Sequence, residues 1–276
     1  MRHNIQSIRA FSGRYIALCL LALLGLALSG CQTEVAHASG EAQLPFAFSF
    51  TDTDDYQVQY RELLDAIELY RLPPRALQIE LDAHDKVSQY TDIDSSASSY
   101  GLNACGLVAA AAATRGADWP EFVDTIAAIA GADYHPNRGI QPSPYVKTLR
   151  NAKIFGAENV TTHDAWTLGG LYYELLAGHA VIVDIKVSFA TKRPSARAPN
   201  YAHFARVLGI DPIKQEIYIE NTLRGESYWN VPLETFFYTW LQPETSASLI
   251  PDRAQAEDVT RWAVVIDRRM IQRDDV

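Results

Sequence analysis

Tyr60, Leu63, Leu64, Ile67 and Tyr70 recur at three- and four-residue steps, which predicts an amphipathic helix from Tyr56 that Pro73-Pro74 closes. Ala76 to Leu81 then alternates as a strand does. From Cys105 to Thr114 the chain is almost entirely apolar, with neither Gly nor Pro after Gly106, so this segment reads as a helix buried on all sides and too short to cross a membrane. Two more helices are predicted near Pro120 to Ala130 and Pro144 to Asn151, separated by Gly131 and the turn His135-Pro136-Asn137-Arg138-Gly139. Trp166 to Leu176 forms another, ended by Gly178. Beyond it the period changes. Ala180 to Val187, Phe204 to Ile210 and Glu216 to Glu220 are rich in Val, Ile and Tyr and bounded by turn signals, and Thr260 to Asp267 adds a late strand after a short helix at Leu233 to Trp240. Helices first and strands second predict an α+β fold, with N-terminal helices packed on an antiparallel sheet.

The first thirty residues follow other rules. Arg2, Arg9 and Arg14 form a positive start without an acidic residue, and the apolar run Tyr15 to Ala27 is short for a membrane span. It ends in Leu28-Ser29-Gly30-Cys31, which resembles a bacterial lipobox. That resemblance implies cleavage before Cys31 and a diacylglycerol on its sulfur, which places the protein in the cell envelope, lipid-anchored on the extracytoplasmic face. Residues 31–55 are polar and aperiodic and read as a flexible tether. One domain is expected over 56–276. Loss of residues 1–30 removes three of the 24 basic residues and none of the 33 acidic ones, which takes the formal charge from −9 to −12. Such a balance argues against nucleic acid as a partner.

With Cys19 in the apolar run and Cys31 consumed by lipid, Cys105 is left as a lone thiol in an oxidising compartment. A thiol there is an oxidation liability unless it has work to do, and nucleophilic catalysis is the commonest. It opens the alanine-rich helix, where the partial positive charge of the N-terminus favours thiolate. Gly106 lets a substrate carbonyl approach the backbone. His203 starts a strand, Asp211-Pro212 turns it, and Ile217 to Asn221 returns, so the hairpin brings His203 and Asn221 to one open end, provided that a bulge or a longer loop corrects the register. A thiol beside a histidine oriented by an amide oxygen is the Cys-His-Asn arrangement of papain-like enzymes.

Tyr100-Gly101-Leu102-Asn103-Ala104-Cys105-Gly106, Gly178-His179-Ala180-Val181-Ile182-Val183, His203 to Asp211 and Tyr218-Ile219-Glu220-Asn221 together resemble the bacteriocin-processing, double-glycine-leader peptidases and their extracytoplasmic relatives. The resemblance is strongest over 87–221. It implies a papain-like cysteine peptidase fold, with Cys105 as nucleophile, His203 as general base, Asn221 as the orienting third residue and Gln89 as the oxyanion-hole amide. The implied partner is a peptide or protein substrate, cut without a cofactor. Two positions depart from the family pattern: Leu107-Val108 follow Cys-Gly, and Asn221 stands where many relatives carry Asp.

Two other readings stay open. One is an NlpC-type cell-wall amidase or endopeptidase, with His179 as base, but that family calls for Asp-Cys-Ser-Gly where this chain has Ala104-Cys105-Gly106. His179 reads instead as a structural residue at a strand edge. The other is a non-catalytic peptide-binding module on the same fold. His84, His135 and His163 lack the paired spacing of metal ligands, so no metal site is expected. Lys192 to Asn200 reads either as a mobile lid or as a solvated connection.

Overall fold

Asp55 opens the first helix, α1 (Tyr56–Tyr70), by accepting hydrogen bonds from the Gln57 and Val58 backbone N–H groups. Arg71 closes it in the left-handed conformation (φ 52°). These elements belong to a computed structural model that describes residues 50–78, 104–114, 119–136, 139–188, 190–191, 193–197, 200–220, 228–240 and 260–268. Strand β1 (Ala76–Leu77) follows, then α2 (Cys105–Ala112), α3 (Trp119–Ala130) and α4 (Pro142–Asn151). The chain continues with β2 (Val160–His163), α5 (Leu168–Leu176), β3 (Ala180–Ser188), β4 (Asn200–Asp211), β5 (Glu216–Glu220), β6 (Tyr228–Pro232), α6 (Leu233–Trp240) and β7 (Ala263–Ile266).

The strands form one antiparallel sheet in the order β2-β7-β3-β4-β5-β6, and β1 pairs with the end of β4 that extends beyond β3. There Gly209 faces Leu77, and a Cβ on it would lie 2.6 Å from the Ala76 carbonyl oxygen, so only glycine permits the pairing. The register of β4 against β5 slips between Val207 and Gly209, the bulge that the hairpin requires. The α+β expectation therefore stands. Two strands escaped the sequence reading, β2 and β6, which are four and five residues long with polar residues inside them. The strand expected over Ala76 to Leu81 is described only as far as Gln78.

Both faces of the sheet are covered, and strand alternation sorts the side chains between them. Ala180, Ile182, Phe204, Val264 and Ile266 join α2, α3 and α4 in one apolar cluster. Val181, Val183, Ile185, Ala205, Val207 and Val265 join α1, α5 and α6 in the other. A sheet buried on both sides explains why β3 and β7 read as nearly continuous apolar runs. Among the described residues no helix is long and apolar enough to cross a membrane.

Candidate active site

The consecutive alanines Ala109 to Ala112 let α2 approach the sheet closely, and Gly106 makes a close contact of its own. A Cβ there would lie 3.1 Å from Phe204 Cδ2, 3.1 Å from Ile140 Cγ2 and 3.5 Å from Tyr145 Cε2. Tyr145, buried on α4, donates its hydroxyl to the Gly106 carbonyl at 2.8 Å and stacks on Phe204 with 4.7 Å between ring centroids. At the other end of α2, Arg206 on β4 donates through Nη1 to the Ala112 carbonyl at 2.5 Å, so a cation satisfies the helix C-terminus. The helix is thus held on β4 at both ends. Cys105, its first residue, is a free cysteine and partly exposed.

Its electrostatics run against the expectation drawn from the helix N-terminus. Burial pushes the Cys105 thiol up to about 11. Backbone hydrogen bonding from Phe204 opposes the rise, and the Asp184 carboxyl adds to it. Ala104 offers no side-chain cap. A helix terminus contributes roughly 0.3–1 kcal/mol, which is less than the cost of an anion among apolar side chains, so the resting group is a neutral thiol.

Asp184 is the residue that sequence reasoning missed. It sits in the middle of β3, directly opposite Phe204, on the face that carries Ile182 and therefore α2. It is 4 % exposed and accepts the backbone N–H of His203 at 3.1 Å. Burial pushes its carboxyl up to about 7, and the His203 N–H holds it back in part. One acid within the otherwise apolar Ala180 to Ile185 run was the available signal, since a charge at an inward strand position needs a reason. Tyr145 was missed because a tyrosine on an amphipathic helix reads as ordinary core.

His203 is only 2 % exposed. Alternation along β4 sends its side chain to the face of Ala205 and Val207, where its ring lies 5.7 Å from Trp229 and 6.2 Å from Tyr201. Cys105 packs with the cluster on the other face. The structure therefore brings the thiol to the His203-Phe204 backbone and sets the two side chains on opposite sides of the strand. Burial lowers the His203 imidazole to about 4, so it is neutral at physiological pH. Asn221, Gln89 and Cys31 lie outside the described residues, as does His84.

His179 stands at the entry to β3, five residues from Asp184, about 16 Å along the strand. Its Nδ1 is 2.5 Å from Glu174 Oε2, and its Nε2 is 3.5 Å from Asp267 Oδ1. These contacts tie α5 to the end of β7, which is a structural task. Part of the segment between β3 and β4 folds back on the end of β3: Ser188 N–H donates to the Arg193 carbonyl and Ser195 N–H to the Lys186 carbonyl. Among the described residues no group of three or more His, Cys, Asp or Glu side chains is arranged to hold a metal ion.

No protein-family model matches the sequence, and no curated protein does either. Among solved structures the chain is similar to a Bacillus anthracis protein provisionally described as a C39-like peptidase, with 14% identity and a TM-score of 0.31. The match covers 47% of this chain and 60% of that one.

Proposed function

We propose that this chain is a membrane-tethered thiol hydrolase that acts on peptide or other amide bonds outside the cytoplasm. Cys105 is the nucleophile, His203 the base, Asn221 the residue that orients it and Gln89 the oxyanion donor, while lipid on Cys31 holds the domain at the membrane. The observation that supports this reading best is the seating of Cys105: a free, partly exposed thiol at the start of a buried helix, packed on the side of β4 that carries Phe204, the residue next to His203. In the described arrangement both groups rest uncharged. Attack on a carbonyl carbon then requires the thiol proton to leave as the C–S bond forms, with the imidazole as acceptor, followed by return of that proton to the leaving amine. Water releases the acyl group and regenerates the thiol.

A second reading has its own observation. Cys105 and His203 side chains stand on opposite faces of β4, the arrangement of a peptide-binding module that keeps the fold without the chemistry. Labelling of the purified protein with an electrophilic peptide separates the two. A hydrolase gives a covalent adduct at Cys105 that vanishes in Cys105→Ala and His203→Ala. A binding module takes up the peptide reversibly, without adduct. For the tether, mass spectrometry of membrane-extracted protein should show a diacylated N-terminal Cys31, and recovery of intact residues 1–30 would reject it.

A further inference from the structure

A buried carboxyl usually faces a cation, because an isolated charge in an apolar interior costs several kcal/mol or forces the group to hold its proton. Asp184 accepts a backbone N–H instead, on the side of the sheet where Cys105 packs. It shares a face of the sheet with Phe204, and the Phe204 ring contacts the Gly106 position beside Cys105. Its hydrogen bond comes from the His203 amide, one residue from the backbone group that Cys105 meets at Phe204. Arg206, the next cation on that face of β4, is engaged with the Ala112 carbonyl and lies 3.8 Å from Glu220.

We propose that Asp184 is a positioning residue for Cys105: it anchors the backbone at His203-Phe204 against which the thiol rests, and its charge decides how readily the thiol ionises. This rests on the proposed role of Cys105 only for its consequence in turnover, since the coupling is read on the thiol itself. The titratable groups that face the pair from the packed elements are Tyr145 on α4, which gives its hydroxyl to Gly106, and Arg206 with Glu220 on β4 and β5. Tyr201, at the entry to β4, also senses the thiol. His203 lies through the sheet, and the β7 segment against Asp184 presents the Trp262 carbonyl. With Asp184 protonated the thiolate forms more easily; with Asp184 ionised a second anion is resisted.

The test is the pH profile of iodoacetamide alkylation on the purified full chain, followed by peptide mass at Cys105. Asp184→Asn keeps an oxygen for the His203 N–H and removes the charge. Its midpoint should fall by about one pH unit, which is about a tenfold faster reaction at a fixed pH above the range in which Asp184 ionises and below both midpoints. Asp184→Ala, which loses the acceptor as well, should not reproduce the Asn profile. An unchanged or raised midpoint in Asp184→Asn overturns the proposal. The wild-type protein gives a check that no folding defect can spoil: the logarithm of the alkylation rate should bend below unit slope as Asp184 ionises, and an unbroken unit slope to the plateau also overturns it. A shifted midpoint in a protein that never forms a peptide adduct keeps the coupling and removes the hydrolase reading. Turnover lost in Asp184→Asn with an unmoved midpoint does the opposite.

Discussion

His203 lies on β4 and His179 just before the neighbouring strand β3, yet one is enclosed by apolar side chains and the other bridges two carboxylates. His203 is enclosed by Trp229, Tyr201 and the apolar face of β4, and burial removes its charge. His179 is partly exposed and set between Glu174 and Asp267, which it joins as a clasp. The same contrast separates carboxylates. Asp184 is enclosed and lifted to about 7, whereas Glu174 and Asp267 reach solvent and share a histidine. A titratable residue is therefore defined less by its type than by whether water or a counter-charge reaches it.

The comparison is tested hardest at the enclosed site. Cys105→Ala should abolish adduct formation and turnover completely, and His203→Ala should do nearly as much if the imidazole serves the thiol. Full activity in His203→Ala would remove His203 from the role of base. Gln89→Ala should cost on the order of 2.7–4 kcal/mol of transition-state stabilisation, measured as kcat/KM, if its amide meets the oxyanion.

Packing under the thiol comes next in size. Gly106→Val places methyls where even a Cβ is 3.1 Å from Phe204 and Ile140. The expected loss is about 1–3 kcal/mol in denaturant unfolding. Wild-type stability in Gly106→Val would mean that α2 does not press on β4.

A smaller effect sharpens the contrast through pH. His203 binds its proton more weakly folded than unfolded, so between about pH 4 and 6.5 the unfolded chain holds more protons and stability rises with pH. Asp184 binds its proton more tightly folded, so between about pH 4 and 7 its contribution falls as pH rises. The two slopes oppose each other in one window. Melting temperatures of Asp184→Asn should therefore climb more steeply from pH 4 to 6.5 than those of the wild type, and His203→Gln should decline where the wild type is flat. Parallel profiles for all three proteins would show that neither group is enclosed. The smallest effect belongs to His179→Ala, which should leave Cys105 labelling intact and lower stability by about 1 kcal/mol, the scale of a lost hydrogen bond. Loss of labelling there would revive the cell-wall amidase reading.

Much of the architecture was legible because periodicity reports on burial. The helix from Tyr56, the buried helix at Cys105 and the strand Glu216 to Glu220 all carry patterns that a single environment imposes. Strands β2 and β6 were not legible. Among the described residues they lie at the two ends of the strand order, and the apolar pattern thins to Val160 in one and to Trp229 and Val231 in the other. At the candidate site, Cys105 was marked by its isolation and its place at a helix start. Asp184 was hidden because its significance depends on what packs against it.

The sequence by itself determined the class of fold, the thiol at a helix N-terminus and the pairing of the strand at His203 with the strand at Glu216. These follow from local spacing and turn chemistry, which act over a few residues. Only the tertiary structure decided that burial outweighs the helix dipole at Cys105, that alternation turns His203 toward Trp229, and that Asp184 is enclosed on the side of the sheet where Cys105 packs. Each of these depends on groups between about 20 and 100 residues apart in the chain meeting in an interior from which water is largely excluded, and the energies of charges there follow from the enclosure rather than from the order of residues.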